Sequence, residues 1–120
     1  MTMKKVLFHY TNEKGAEAIN EEQVIKASTK ANDDAAFGEG TYFTSKNPID
    51  HSKEQIRRNN YDDGPSYYNS KQFEDKTDYV VAVSLGEDEF NKVDGTKRDI
   101  YVAPGDVDLT THDHLILKNK

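Results

Sequence analysis

A chain of 120 residues has room for one modest core, so a single catalytic-sized domain over residues 1–120 with one active site is the expected organisation. With 16 Lys and Arg against 22 Asp and Glu, a net charge of −6 and no basic stripe, the sequence does not advertise a nucleic-acid groove, which needs clustered cations. Cysteine is absent, which excludes disulfides, thiolate metal sites and a cysteine nucleophile within this chain.

Charged residues, at 32 %, nearly equal the hydrophobic 34 %, which predicts a thin core with long solvated loops. The opening MTMKKVLFHY has no long apolar run. The expectation is therefore a cytoplasmic protein, or one exported without a cleaved signal peptide, with no membrane partner.

In chain order, KVLFHY (5–10) is apolar and β-prone and predicts a first strand. Thr11 and Asn12 offer a helix N-cap, and NEKGAEAINEEQ follows as a short helix whose inward stripe carries Ala16 and Ile19. VIKAS (24–28) predicts a second short strand. TKANDDAA is turn-rich and leads into FGEGTYFTS, where two glycines frame a strand carrying Tyr42 and Phe43. Pro48 suits a first helical position, so PIDHSKEQIRR predicts a second helix. Residues 59–76 hold turn formers and aromatic side chains without a sustained period and predict a long surface loop. DYVVAVSL (78–85) is the clearest core strand, with β-branched residues on both faces as in a strand covered on each side. RDIYVA and HLILK (114–118) predict two more. The order points to an α+β fold dominated by antiparallel sheet.

Three segments stand apart: LFHYT on the first strand, FGEGTYFTS on the third, and RDIYV near the end. Each has a plain structural reading beside the functional one. A histidine closing a strand is often a partly buried structural residue, Gly-x-Gly-x-Tyr-Phe can be a hairpin turn with a core aromatic, and an aspartate opening a strand is commonly a turn or cap. Asp94 and Asp106 are rival acids to Asp99. THDH, with His112 and His114, lacks a third spaced ligand and reads as a solvated turn, so no metal is expected. FGEGT is not a phosphate loop, because neither Gly-Lys-Ser/Thr nor a helix follows it.

Taken together, LFHYT, FGEGTYFTSKNP and RDIYV resemble the catalytic pattern of the diphtheria-toxin and poly-ADP-ribose-polymerase branch of ADP-ribosyltransferases, and within it the HYD-signature group. The matching positions are His9 with Thr11, Gly38 and Gly40 with Tyr42, and Asp99. The resemblance implies a split barrel of two mainly antiparallel sheets with two short helices, enclosing a dinucleotide cleft. It implies NAD⁺ as substrate, an ADP-ribosyltransferase activity, and a catalytic set of His9, Tyr42 and Asp99.

Breaking the bond between nicotinamide and ribose passes through an oxocarbenium-like centre, so a site must hold the nicotinamide still and favour positive charge on the ribose. In the family pattern Tyr42 stacks on the nicotinamide, with the glycines allowing close backbone approach. His9 bonds the ribose of the adenosine half, the Tyr10 backbone clamps the carboxamide, and Asp99 bonds the ribose hydroxyl beside the reacting carbon. Thr11, Gly40, Phe43 and Ser52 complete the expected NAD⁺-binding set. The acid is Asp where the polymerase branch has Glu, so single transfer or hydrolysis is expected and not chain elongation.

The acceptor is open, with protein favoured over nucleic acid. An isolated module of this kind resembles a bacterial toxin or effector, which brings an immunity or antitoxin protein in as an expected partner of a monomeric enzyme. The rival readings are an NAD⁺ glycohydrolase, an inactive NAD⁺ or ADP-ribose-binding module, and an acidic protein-interaction module.

Overall fold

The computed structural model describes residues 3–27, 40–60, 75–94 and 99–119. Strand β1 (Lys4–Thr11) leads into helix α1 (Glu13–Glu22), then β2 (Val24–Ile25), β3 (Thr41–Phe43), α2 (Lys53–Asn60), β4 (Tyr79–Gly86), β5 (Asn91–Lys92), β6 (Tyr101–Ala103), β7 (Val107–Asp108) and β8 (His114–Lys118). Two 3₁₀ turns, at Glu87–Glu89 and Leu109–Thr111, lie after β4 and β7. This is the expected α+β class. The described strands form two three-stranded sheets, β1-β4-β8 and β3-β6-β5, and a small β2-β7 pair, with every pairing antiparallel and no closed barrel among them.

The long strands follow from their alternation. In β4, Val81, Val83 and Leu85 turn to one face and are fully buried. They join Leu7, Phe43, Tyr101, Ile19 and Ile25 in the main core. The expectation that β4 is covered on both faces holds only at one end. On its other face Val80 is buried with Tyr10 and Ile56 under α2, while Leu115 and Leu117, which pair with Ala82 and Val80, are 62 % and 48 % exposed. An eight-residue helix is too short to cover the whole sheet.

Helix α1 starts as expected: the Asn12 side chain accepts the Gly15 N–H at 2.7 Å, and Ala16 and Ile19 face inward. Helix α2 starts later than its sequence suggests. The Asn47 side-chain oxygen takes the N–H groups of both Ile49 and Asp50, which holds 47–50 in a turn. Ser52 then caps the helix, its hydroxyl accepting the Gln55 N–H while the Gln55 side chain accepts the Ser52 N–H. The segment VIKAS yields only a two-residue strand, since Ala27 N–H leaves the ladder to bond the Asp106 carboxylate at 2.7 Å. The turn-rich 29–36 stretch, Gly38, and the tyrosines at 61, 67 and 68 lie outside the described residues.

The two large sheets pack together through the core and share one backbone bridge among the described residues. Phe8 and Thr44 exchange both backbone hydrogen bonds, at 2.8 and 2.9 Å, and β1 and β3 form no further backbone ladder between them. The sheet order is therefore β8-β4-β1, one bridge, then β3-β6-β5, with a split beside the bridge. No described helix is long and apolar enough to cross a membrane.

On the far surface His112 ties the turn after β4 to the segment before β8. Its Nε2 meets a Glu89 carboxylate oxygen at 2.7 Å and its Nδ1 meets the Asp108 carbonyl at 2.6 Å. Both partners only accept, so both ring nitrogens carry protons and the ring is an imidazolium. Partial burial opposes that charge, but the Asp108 carbonyl and Glu89 outweigh it, and the pKa is raised above the ordinary 6.5. Glu89 is lowered below 4.5 by the Gly86 N–H first and by His112 next. A raised histidine contributes fully below its unfolded value and loses its share as pH rises through the folded one. A lowered glutamate contributes above its unfolded value and loses its share as pH falls through the folded one. Urea midpoints of the parent and His112→Gln should therefore differ most between about pH 4.5 and 6.5 and converge in mild alkali. A difference that does not change with pH would refute the imidazolium.

Candidate active site

His9 lies on β1 one residue past the Phe8–Thr44 bridge, and its Nδ1 sits 2.8 Å from the Tyr42 carbonyl oxygen. A carbonyl only accepts, so Nδ1 carries the proton and donates. Burial lowers the pKa of the ring and the Tyr42 bond partly opposes this, with the net shift downward. The ring is then neutral at neutral pH, and Nε2 is left with a lone pair that accepts. The Phe43 ring packs edge-on against it, centroids 5.9 Å apart, and fixes its plane.

The same bond explains why the sheets part. In an antiparallel ladder the residues that exchange both bonds recur every second position, so beyond Phe8 and Thr44 the next such pair is Tyr10 with Tyr42. The His9 imidazole takes the Tyr42 carbonyl that the Tyr10 N–H would otherwise claim. Along β1 the odd-numbered residues bond β4, as the Met3 carbonyl does with Glu87 N–H, so the N–H and C=O of Tyr10 turn to the open edge beside the split. The Tyr10 ring points the other way, buried under α2, and its hydroxyl donates to the Lys46 carbonyl at 2.7 Å.

Asp99 stands just ahead of β6, where that strand pairs with β3. Its Oδ1 accepts the Ser45 N–H at 2.9 Å and the Thr44 hydroxyl at 3.2 Å, and its Oδ2 accepts the Ser45 hydroxyl. Burial pushes the carboxyl upward, but the Ser45 bonds, the Thr44 bond and the Lys46 charge outweigh it and hold the pKa below the ordinary carboxylate value. The group is ionised at neutral pH. A carboxylate has about four acceptor positions. Those three bonds leave one on Oδ2 among the described residues.

The structure thus gathers His9, Tyr42 and Asp99 around β3, with His9 on the Tyr42 carbonyl and Asp99 on the two residues after Phe43. The rival acids lie elsewhere: Asp94 is exposed, and Asp106 is an exposed partner of Ala27. Thr11 closes β1 against α1, so near Gly15 that a Cβ there would fall 2.1 Å from the Thr11 Oγ1. Phe43 is a core residue as well as the neighbour of His9. Gly40 has φ +155°, and a Cβ on it would meet Val102 Cγ1 at 2.6 Å and the Ala103 carbonyl at 2.7 Å. The close approach recorded at Gly40 is therefore to β6. Ser52 is an exposed helix cap, and its bonds do not join it to the other site residues. Among the described residues no group of three or more His, Asp or Glu is placed to hold a metal ion.

Three participants were not read from the sequence: Ser45 and Thr44, which hold the Asp99 carboxylate, and Asn59, which bonds its backbone. Ser45 and Asp99 are 54 residues apart, and nothing local links them. Asn59 did carry a signal. It follows Ile56 by three positions, so it shares the buried face of α2, where a polar residue needs a partner.

Comparison with known families gives one match, to the HYD1 signature containing ADP-ribosyltransferases, over residues 7–113. The match spans most of the chain, including His9, Tyr42 and Asp99, and the chain belongs to this family. No curated protein and no solved structure matches it.

The His9 arrangement has a direct spectroscopic consequence. Nitrogen-detected NMR should find the imidazole neutral with the proton on Nδ1, titrating below the ordinary 6.5. A midpoint above that value, or a proton on Nε2 in the free protein, would contradict the hydrogen bond to Tyr42.

Proposed function

We propose that this chain breaks the nicotinamide–ribose bond of NAD⁺ and transfers ADP-ribose once to a macromolecular acceptor. The observation that carries the reading is the convergence on β3 of a neutral histidine, a tyrosine and an ionised aspartate from three distant segments, beside an open strand edge. The family match supports the same reading.

In this reading the dinucleotide lies along the split. The His9 Nε2 accepts a hydroxyl of the adenosine ribose, and the N–H and C=O of Tyr10 bond the nicotinamide carboxamide as a strand neighbour would. The Tyr42 ring packs against the nicotinamide, with Thr11, Gly40 and Phe43 forming the surrounding wall. The electron pair of the breaking bond leaves with nicotinamide. The ribose carbon gains positive character, and the Asp99 carboxylate, through its remaining acceptor position, bonds the neighbouring hydroxyl and stabilises that charge. The acceptor nucleophile adds to the same carbon and releases its proton to solvent.

Water in the acceptor's place makes the protein a glycohydrolase. Chain elongation is not part of the proposal, because Asp replaces the longer acid of the polymerase branch. A protein acceptor suits the acidic surface without a basic stripe. The toxin or effector role, with an immunity or antitoxin partner, belongs to the same proposal.

The test is to mix the chain with NAD⁺ labelled in the adenine half and a cell extract, and to follow nicotinamide, free ADP-ribose and labelled macromolecules. Nicotinamide release with labelled protein is expected, and Asp99→Asn should slow it by on the order of 10²- to 10³-fold. Free ADP-ribose alone would select the glycohydrolase. Binding of NAD⁺ without nicotinamide release would select the inactive module.

A further inference from the structure

The Asp99 carboxylate is held by Thr44 and Ser45, just beyond β3, but its peptide is held by α2. Asn59 is buried, and its side-chain oxygen accepts the Asp99 N–H at 2.6 Å while its side-chain nitrogen donates to the Asp99 carbonyl at 2.9 Å. One side chain thus meets both backbone groups of residue 99, in the place where a strand neighbour would pair with it. The same nitrogen reaches the Thr44 Oγ1 at 3.3 Å, as does the Lys46 N–H. With two donors pointing at it, the Thr44 hydroxyl is oriented to give its own proton to the Asp99 Oδ1 at 3.2 Å.

We propose that Asn59 is a positioning residue for the Asp99 carboxylate, fixing its backbone directly and its Oδ1 through the Thr44 hydroxyl. The inference rests on the functional reading above, in which that carboxylate faces the reacting ribose. The chemistry selects Asn. Aspartate has the same shape but no N–H, so it would set an acceptor against the Asp99 carbonyl and a negative charge near the carboxylate. Glutamine is one carbon too long to meet both groups from the same helix position. The Lys46 charge also favours the ionised carboxylate.

The variants are Asn59→Asp, Asn59→Ala, Thr44→Val, which removes the relay hydroxyl, and Thr44→Ser, which keeps it. In the NAD⁺ assay Asn59→Asp and Thr44→Val should lower kcat about tenfold or more, with KM for NAD⁺ within about threefold. The acid limb of the pH profile should move to higher pH as the carboxylate loses donors. Thr44→Ser should restore both. Independently of activity, carbon NMR should show Asp99 titrating at higher pH in Asn59→Asp and Thr44→Val, and the Asp99 amide should exchange faster in Asn59→Ala.

A parent chain that releases no nicotinamide would sink the functional reading, while the Asp99 titration would still decide the clamp. An active parent whose folded variants keep its kcat and acid limb would overturn the positioning role. A loss that only follows the folded fraction, with the Asp99 titration unmoved, would overturn it too.

Discussion

The hydrogen bond from the His9 imidazole to the Tyr42 carbonyl sits where the two large sheets part. Two sheets meet at Phe8 and Thr44, and nothing in the backbone forbids the ladder from continuing to Tyr10 and Tyr42. A side chain intervenes and takes the acceptor. A buried carbonyl must be paired, and pairing it with an imidazole satisfies it without closing the gap. The N–H and C=O of Tyr10 are thereby left facing an open edge. The tautomer that donates to Tyr42 is also the one that leaves Nε2 able to accept.

Strand β3 has only three residues, yet it organises both sides of the site. Its Tyr42 carbonyl holds His9, its Phe43 ring packs against the same imidazole, and Thr44 and Ser45 just beyond it hold Asp99. Such a short strand cannot be held by its own ladder. It is fixed by burial of Phe43 and by the Thr41 hydroxyl, which donates to the Gly105 carbonyl at 2.7 Å. Gly40 lets the chain enter hard against β6. The polar contacts and the packing act on the same few residues, so a change in one moves the other.

What was legible in the sequence was periodic or local. β1, β4 and β8 announced themselves as apolar, β-prone runs, and α1 by Asn12 and the Ala16–Ile19 stripe. The motif residues His9, Tyr42 and Asp99 were found through their resemblance to a family pattern, and each is in reach of β3. The misreadings came from contacts that no local pattern carries. β2, β5 and β7 are two-residue strands defined by their partners alone. Asn47 caps the N–H groups of Ile49 and Asp50 as a helix start would, but only a single turn follows it, and helix α2 begins after a second cap at Ser52. Asn59 looked like the first residue of a polar loop, since its bonds run to residue 99, 40 positions away.

The choice of Asp over Glu at position 99 ties these points together. An aspartate has one rotatable bond fewer than a glutamate, so its carboxylate follows its backbone closely and has little freedom to find a ligand by itself. A short acid in this position works only if the backbone is set in advance. The Asp99 peptide lies just beyond the β3–β6 ladder, where no strand neighbour fixes it. Grip on both its N–H and its C=O by one buried carboxamide supplies that constraint, and the two hydroxyls and one amide of Thr44 and Ser45 then leave the carboxylate one acceptor position among the described residues. The shorter side chain gives up reach and gains a fixed aim.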